Sequence, residues 1–124
     1  MGTALNRRWM IAFVLFALVL LGIFVAAYLG DIPTRLAQIP YYDTIGHFVL
    51  YGILAALLDL ALRHHRTTIP GTALRIPTAG VVIVLVAIAD ELLQGLSPIR
   101  TSDIKDLAAD VVGIILALLI SRRL

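Results

Sequence analysis

The sequence predicts an all-α, polytopic membrane protein: a four-transmembrane-helix bundle with both termini cytoplasmic. Three observations predict it. Of 124 residues, 60% are hydrophobic and only 15% charged, with a mean hydropathy of +0.99. A soluble domain carries roughly 45–50% apolar and about 25% charged residues. The apolar residues gather in four runs, and the basic residues are shared unevenly among the segments between them. This argues against a soluble protein, a nucleic-acid binder and a disordered chain. The pI near 9.4 hides a net charge of only +2. With no cysteine, disulfide frameworks, thiolate metal sites and cysteine nucleophiles are excluded.

A hydrocarbon core about 30 Å thick needs roughly 20 apolar residues of helix. The first helix is expected over 9–29, with no charge between Trp9 and Leu29 and with Trp9 and Tyr28 near its ends as interfacial aromatics. Arg7-Arg8 followed by an apolar run and Val25-Ala26-Ala27 resembles a secretory signal. Signal cores are typically about 7–15 residues, so the longer run here reads as an uncleaved span. The second helix is expected over 41–62, after Pro40, carrying Asp43, His47 and Asp59. The third, over 76–96, is apolar until Asp90-Glu91 and is stopped by Gly95, Ser97 and Pro98. The fourth, over 102–120, starts behind Thr101-Ser102, which can cap it. Its apolar part, Val111 to Ile120, crosses only if the polar turns from Asp103 to Asp110 are helical and shielded by neighbours. No linker or low-complexity tract divides the chain, so residues 1–124 read as one domain.

Arg7, Arg8, Arg63, Arg66, Arg75, Arg122 and Arg123 fall at the termini and in the second loop, against Arg35, Arg100 and Lys105 on the other side. Positive-inside bias then places both ends and the His64-His65 loop in the cytoplasm of a multi-pass plasma-membrane protein.

Ionisable residues within a bilayer are costly and are functional candidates by default. Their depth follows from the helical rise of about 1.5 Å per residue. At the outer rim lie Asp43, Gln94, Arg100 and Asp103; roughly 6 Å down lie His47, Glu91 and Asp106; about two turns down lie Tyr51 and Asp110. Asp43, His47 and Tyr51 follow i, i+4, i+8; Glu91 and Gln94 are i, i+3; Asp103, Asp106 and Asp110 are i, i+3, i+7. Each set is one stripe on its helix. Three such stripes must face one another, which predicts a polar pocket open to the extracytoplasmic side. Asp110, the deepest carboxylate, needs a partner. His47 is the closest cation by depth, and Tyr51 is available as a second donor.

Plainer roles fit several of these residues. Asp103 suits the positive end of its helix as a cap. Asp59 stands four residues before Arg63 and reads as a local ion pair. His64 and His65 lack a spaced carboxylate, which argues against a metal there. Asp90 points about 100° from Glu91 and reads as a supporting or interfacial group. Ala109, Gly113 and Ala117 form a small-residue ladder for helix packing. A purely structural polar network is the plain alternative to a pocket.

The ordered set Asp43, His47-Phe48, Tyr51, Glu91-Leu92-Leu93-Gln94, Arg100, Asp106, Asp110 and Gly113 resembles the VanZ-like family of small bacterial membrane proteins. The resemblance covers Asp43 to the end of the fourth helix, about two thirds of the chain. Two positions depart from the family pattern: Thr44 stands where Lys often follows the first Asp, and Asp110 stands in place of Asn. Both make the pocket more acidic. The resemblance implies a bacterial plasma-membrane protein of the cell envelope, associated in some members with glycopeptide (teicoplanin) resistance, and it implies no agreed biochemical activity.

No complete catalytic constellation is visible: Ser97 and Ser102 lack a locally spaced His and carboxylate, and there is no phosphate-binding Gly-rich loop. The favoured reading is a non-catalytic envelope protein that binds a headgroup, a glycopeptide or a protein partner, with Arg100 as the anion contact. A second reading is an enzyme in which His47, Glu91 and Asp106 act as base and acid on a lipid-linked headgroup. The same imidazole and carboxylates suit a divalent cation. A third reading is an accessory subunit of a larger membrane complex.

Overall fold

A computed structural model describes residues 5–29, 42–94, 96 and 104–123, with the side chains of 27, 28, 42, 43 and 94 outside the description. It is all-helical apart from one short hairpin. The order is α1 (Arg7–Tyr28), α2 (Tyr42–Ala61), β1 (Arg66–Thr68), β2 (Arg75–Pro77), α3 (Thr78–Gln94) and α4 (Ile104–Ser121). Each helix coincides with one of the four apolar runs.

Helix directions follow from the contacts. Asn6 N donates to Ala61 O (2.8 Å), while Phe24 at the other end of α1 stacks on His47 near the start of α2, so α1 and α2 are antiparallel. Between α2 and α4 the pairs Thr44–Asp106, His47–Asp110 and Asp59–Ser121 keep a separation of 62 or 63 residues along the whole seam. A constant offset means two parallel helices in fixed register. Tyr51–Asp90 and the contact of Gly80 with Leu118 set α3 antiparallel to both. Both described ends of the chain and the hairpin therefore lie at one end of the bundle, and Asp90 and Asp106 lie toward the other.

The seam is close because of glycine. A Cβ on Gly113 would collide with the carbonyl oxygen of Phe48, and one on Gly52 would stand 3.1 Å from Gly113 O. Small residues let helix backbones approach where no hydrophobic gain between helices is available. The expected packing role of Gly113 is what the structure shows.

The bundle encloses a set of polar side chains within an apolar core and exposes many large apolar ones. His47, Asp59, Asp90, Glu91, Asp106, Asp110 and Ser121 are buried, whereas Leu15, Leu18, Val19, Leu85, Leu92 and Ile120 are well exposed. Water disfavours both the burial of so many ionisable groups and the exposure of so many large apolar ones. The segments Arg7–Ala26 and Thr44–Ala61 are long and apolar enough to cross a membrane. Together with the buried ionisable groups and the exposed apolar faces, they point to a membrane protein. Helix α1 is built into the bundle, since Leu20 is buried and Phe13, Phe16 and Phe24 pack against the core.

The loop after α2 differs from expectation. Instead of a plain connection running into a helix from residue 76, Arg66–Thr68 pairs antiparallel with Arg75–Pro77. The turn between them is made by Ile69-Pro70-Gly71-Thr72, closed by Thr72 N to Ile69 O (3.1 Å) with Gly71 at φ 79°. Proline followed by a glycine at positive φ is what such a turn requires. Helix α3 therefore begins at Thr78, whose N–H donates to His65 O (2.9 Å).

Candidate functional site

The polar stripes meet at the end of the bundle away from the hairpin. Helix α2 presents Thr44, His47 and Tyr51 along one face, α4 presents Asp106 and Asp110 at matching spacing, and α3 brings Asp90 and Glu91. Thr44 Oγ1 donates to Asp106 Oδ1 (2.9 Å). One turn deeper, His47 Nδ1 donates to Asp110 Oδ1 at 2.7 Å, with the two side chains 4% and 0% exposed. Deeper again, the Tyr51 hydroxyl donates to Asp90 Oδ2 (3.1 Å). The His47–Asp110 contact is the one expected from helix depth.

Aromatic rings close one side. Phe24 of α1 lies 6.4 Å from the His47 ring and 5.9 Å from the Tyr51 ring, and His47 and Tyr51 stack at 5.7 Å. Such offset contacts hold the imidazole plane in place beyond simple burial. With Nδ1 committed to a carboxylate, the tautomer and orientation of His47 are set, which is how His–Asp pairs are prepared for proton transfer. Asp110 Oδ2 is buried and has no hydrogen-bond partner among the described residues. Asp106 occupies the first turn of α4, where the helix dipole also favours a carboxylate.

Of the residues singled out from sequence, the structure brings together His47, Tyr51, Asp106 and Asp110 and buries Glu91. Arg100 and the side chains of Asp43 and Gln94 lie outside the described residues, as does Asp103. Three further residues, none of them a pocket candidate from the sequence, join the cluster. Asp90, read as a supporting or interfacial group, is buried and takes the Tyr51 hydroxyl. Thr44, read only as a missing lysine, holds Asp106. Phe24 gave no signal, because one apolar residue in an apolar span does not declare its face.

A second polar cluster ties the hairpin end. The expected Asp59–Arg63 ion pair is not formed. Asp59 Oδ2 accepts from His64 Nδ1 (2.7 Å) and from Ser121 Oγ (2.6 Å), while Arg63 is exposed. The cause is the end of α2: Arg63 and His64 are left-handed, at φ 55° and 59°. Arg63 N then bonds Leu60 O (3.1 Å) and His64 N bonds Asp59 O (2.8 Å), a Schellman cap that swings His64 back over Asp59. His65 Nδ1 meets Thr78 Oγ1 (2.7 Å). Among the described residues no three His, Asp or Glu side chains are placed to hold a metal ion.

A protein-family model, VanZ/LLP1, matches residues 5–124. The chain belongs to the VanZ/LLP1 family. The match takes in α1 as well as the three helices whose motifs carry the resemblance, so Phe24 belongs to the VanZ-like region as much as His47 does. No curated protein and no solved structure matches the chain.

Proposed function

We propose that this VanZ-like chain is a single-domain, multi-pass protein of a bacterial plasma membrane that binds a hydroxyl- or amine-bearing envelope group, a headgroup or glycopeptide, at the outer end of its bundle. All four helices cross, with both termini and the hairpin in the cytoplasm. Seven arginines at the hairpin end support that orientation. Helix α4 can cross despite its charges because Asp106 and Asp110 face inward while Ile115, Leu116, Leu119 and Ile120 face out.

The observation that carries the binding reading is the acidic makeup of the cluster. Four carboxyl groups, Asp90, Glu91, Asp106 and Asp110, are buried at the same end of the bundle as the imidazole of His47, which bonds Asp110. Such a set accepts hydrogen bonds far more readily than it donates them. Sugar hydroxyls and amines complement it; a bare phosphate does not. The glycopeptide resistance associated with some VanZ-like members is in keeping with that chemistry.

The oriented His47–Asp110 pair favours one second reading, an enzyme in which His47 moves a proton on a lipid-linked headgroup. His47→Ala and Asp110→Asn, assayed in purified full-length protein for teicoplanin binding and for turnover of a lipid-linked aminosugar, separate the two. Lost binding without any turnover in the parent protein supports the receptor. Turnover in the parent that His47→Ala abolishes, with binding kept, supports the enzyme. Unchanged teicoplanin binding in both variants and no turnover in the parent would sink both.

A further inference from the structure

We propose a second site: a groove between α3 and α4 at the hairpin end that holds an acyl chain of an anionic phospholipid, with its phosphate on Arg75 and Arg122. The inference rests on the membrane reading above but not on the outer site.

The groove has a volume of about 410 Å³, and Ile76, Pro77, Gly80, Val84, Ile114 and Leu118 form its wholly apolar walls. It opens to the exterior of the bundle, where Leu85 and Ile115 are exposed. Its mouth is cationic from both sides. On the α3 side Arg75 directly precedes the lining residue Ile76, and Arg66 Nη1 donates to Arg75 O (3.3 Å), which brings a second guanidinium to the same spot. On the α4 side Arg122 N bonds Leu118 O (3.1 Å), so Arg122 continues the Ile115–Leu118 stripe one turn past the groove. Arg75 and Arg122 are both exposed.

The one acidic side chain at this end among the described residues is Asp59, which is 1% exposed and held by His64 and Ser121. Among the described side chains, that leaves the arginines at the mouth without a neutralising carboxylate. Guanidinium pairs with phosphate through two parallel hydrogen bonds. Basic pockets between helices on the cytoplasmic side select anionic headgroups. A second copy of the chain fits less well, because it would bring two arginine collars together.

The test uses purified full-length protein equilibrated with equal amounts of phosphatidylglycerol and phosphatidylcholine, with retained lipid counted by native mass spectrometry. The expected result is about a tenfold preference for phosphatidylglycerol, on the scale of one to two arginines near an anionic surface. Arg75→Gln with Arg122→Gln should bring the preference to near parity while a lipid is still retained. Val84→Trp should reduce retention of both lipids by filling the groove. Equal retention by the parent protein, or a preference that survives the double substitution, overturns the site. So does a dimer that masks the groove. Sedimentation with mixed vesicles separates the two claims. Protein in the pellet without lipid preference sinks only the groove, whereas protein left in the supernatant sinks the membrane reading as well.

Discussion

The two ends of the α2–α4 seam each hold an Asp–His pair at 2.7 Å, and the pairs do different work. At the hairpin end the partners are five residues apart and His64 is about a third exposed. There the imidazole folds back on the carboxylate of its own helix end, and Ser121 fastens α4 to the same oxygen. At the other end the partners are 63 residues apart and both are buried, joined on α2 to an aromatic stack and flanked by three more carboxylates. A helix cap explains the first pair completely. Nothing about capping explains why so many carboxyl groups are buried near the second. The same bond is structural at one end and, on our reading, functional at the other.

The comparison breaks most severely if the seam itself is opened. Gly113→Leu places a side chain against the Phe48 backbone, which cannot rotate away. The expected cost is at or beyond the roughly 3 kcal/mol upper end of overpacking, read as loss of folded protein on purification in detergent. Both clusters should fail together.

Asp110→Leu comes next. It removes the carboxylate that His47 Nδ1 bonds and should cost about 3–5 kcal/mol in a denaturation series, as removing one partner of a buried pair does. Asp110→Asn keeps the size and a hydrogen-bonding atom and should cost much less. Equal losses for Leu and Asn would show that the pair contributes only volume.

Ser121→Ala should lower stability by about 1–2 kcal/mol through the weakened tie to Asp59, with ligand binding unchanged. Loss of binding in this variant would erase the distinction between the two ends. The smallest effect belongs to Arg63→Gly. Relief of a left-handed non-glycine residue should leave stability unchanged or raise it by up to about 1 kcal/mol, measured as a shift in Tm.

Four helices and their inward stripes were legible because polar residues inside apolar runs stand out at helical spacing. His47 and Asp110 could be paired by depth alone, since both lie on helices entering from the same side. Asp90 was read as a supporting or interfacial group and is a supporting one; its partner, the Tyr51 hydroxyl, was not legible because an angle measured from Glu91 says nothing about which neighbour lies there. The Asp59–Arg63 reading assumed that the helix continues through Arg63. The chain turns left-handed at that residue, and the i, i+4 relation no longer applies. The hairpin was missed for a related reason: strands of three residues carry almost no periodicity, although Pro70-Gly71 marked the turn.

The most direct test of opposite roles for the two ends is whether they face opposite sides of the membrane. The chain has no cysteine, so single cysteines placed at Arg35, Ser97 and His65 are clean reporters. In intact cells an impermeant thiol reagent should label positions 35 and 97 and leave 65 untouched until the membrane is permeabilised. Labelling at 65 with protection at 35 and 97 would put the acidic cluster inside the cell and contradict an outward-facing binding site.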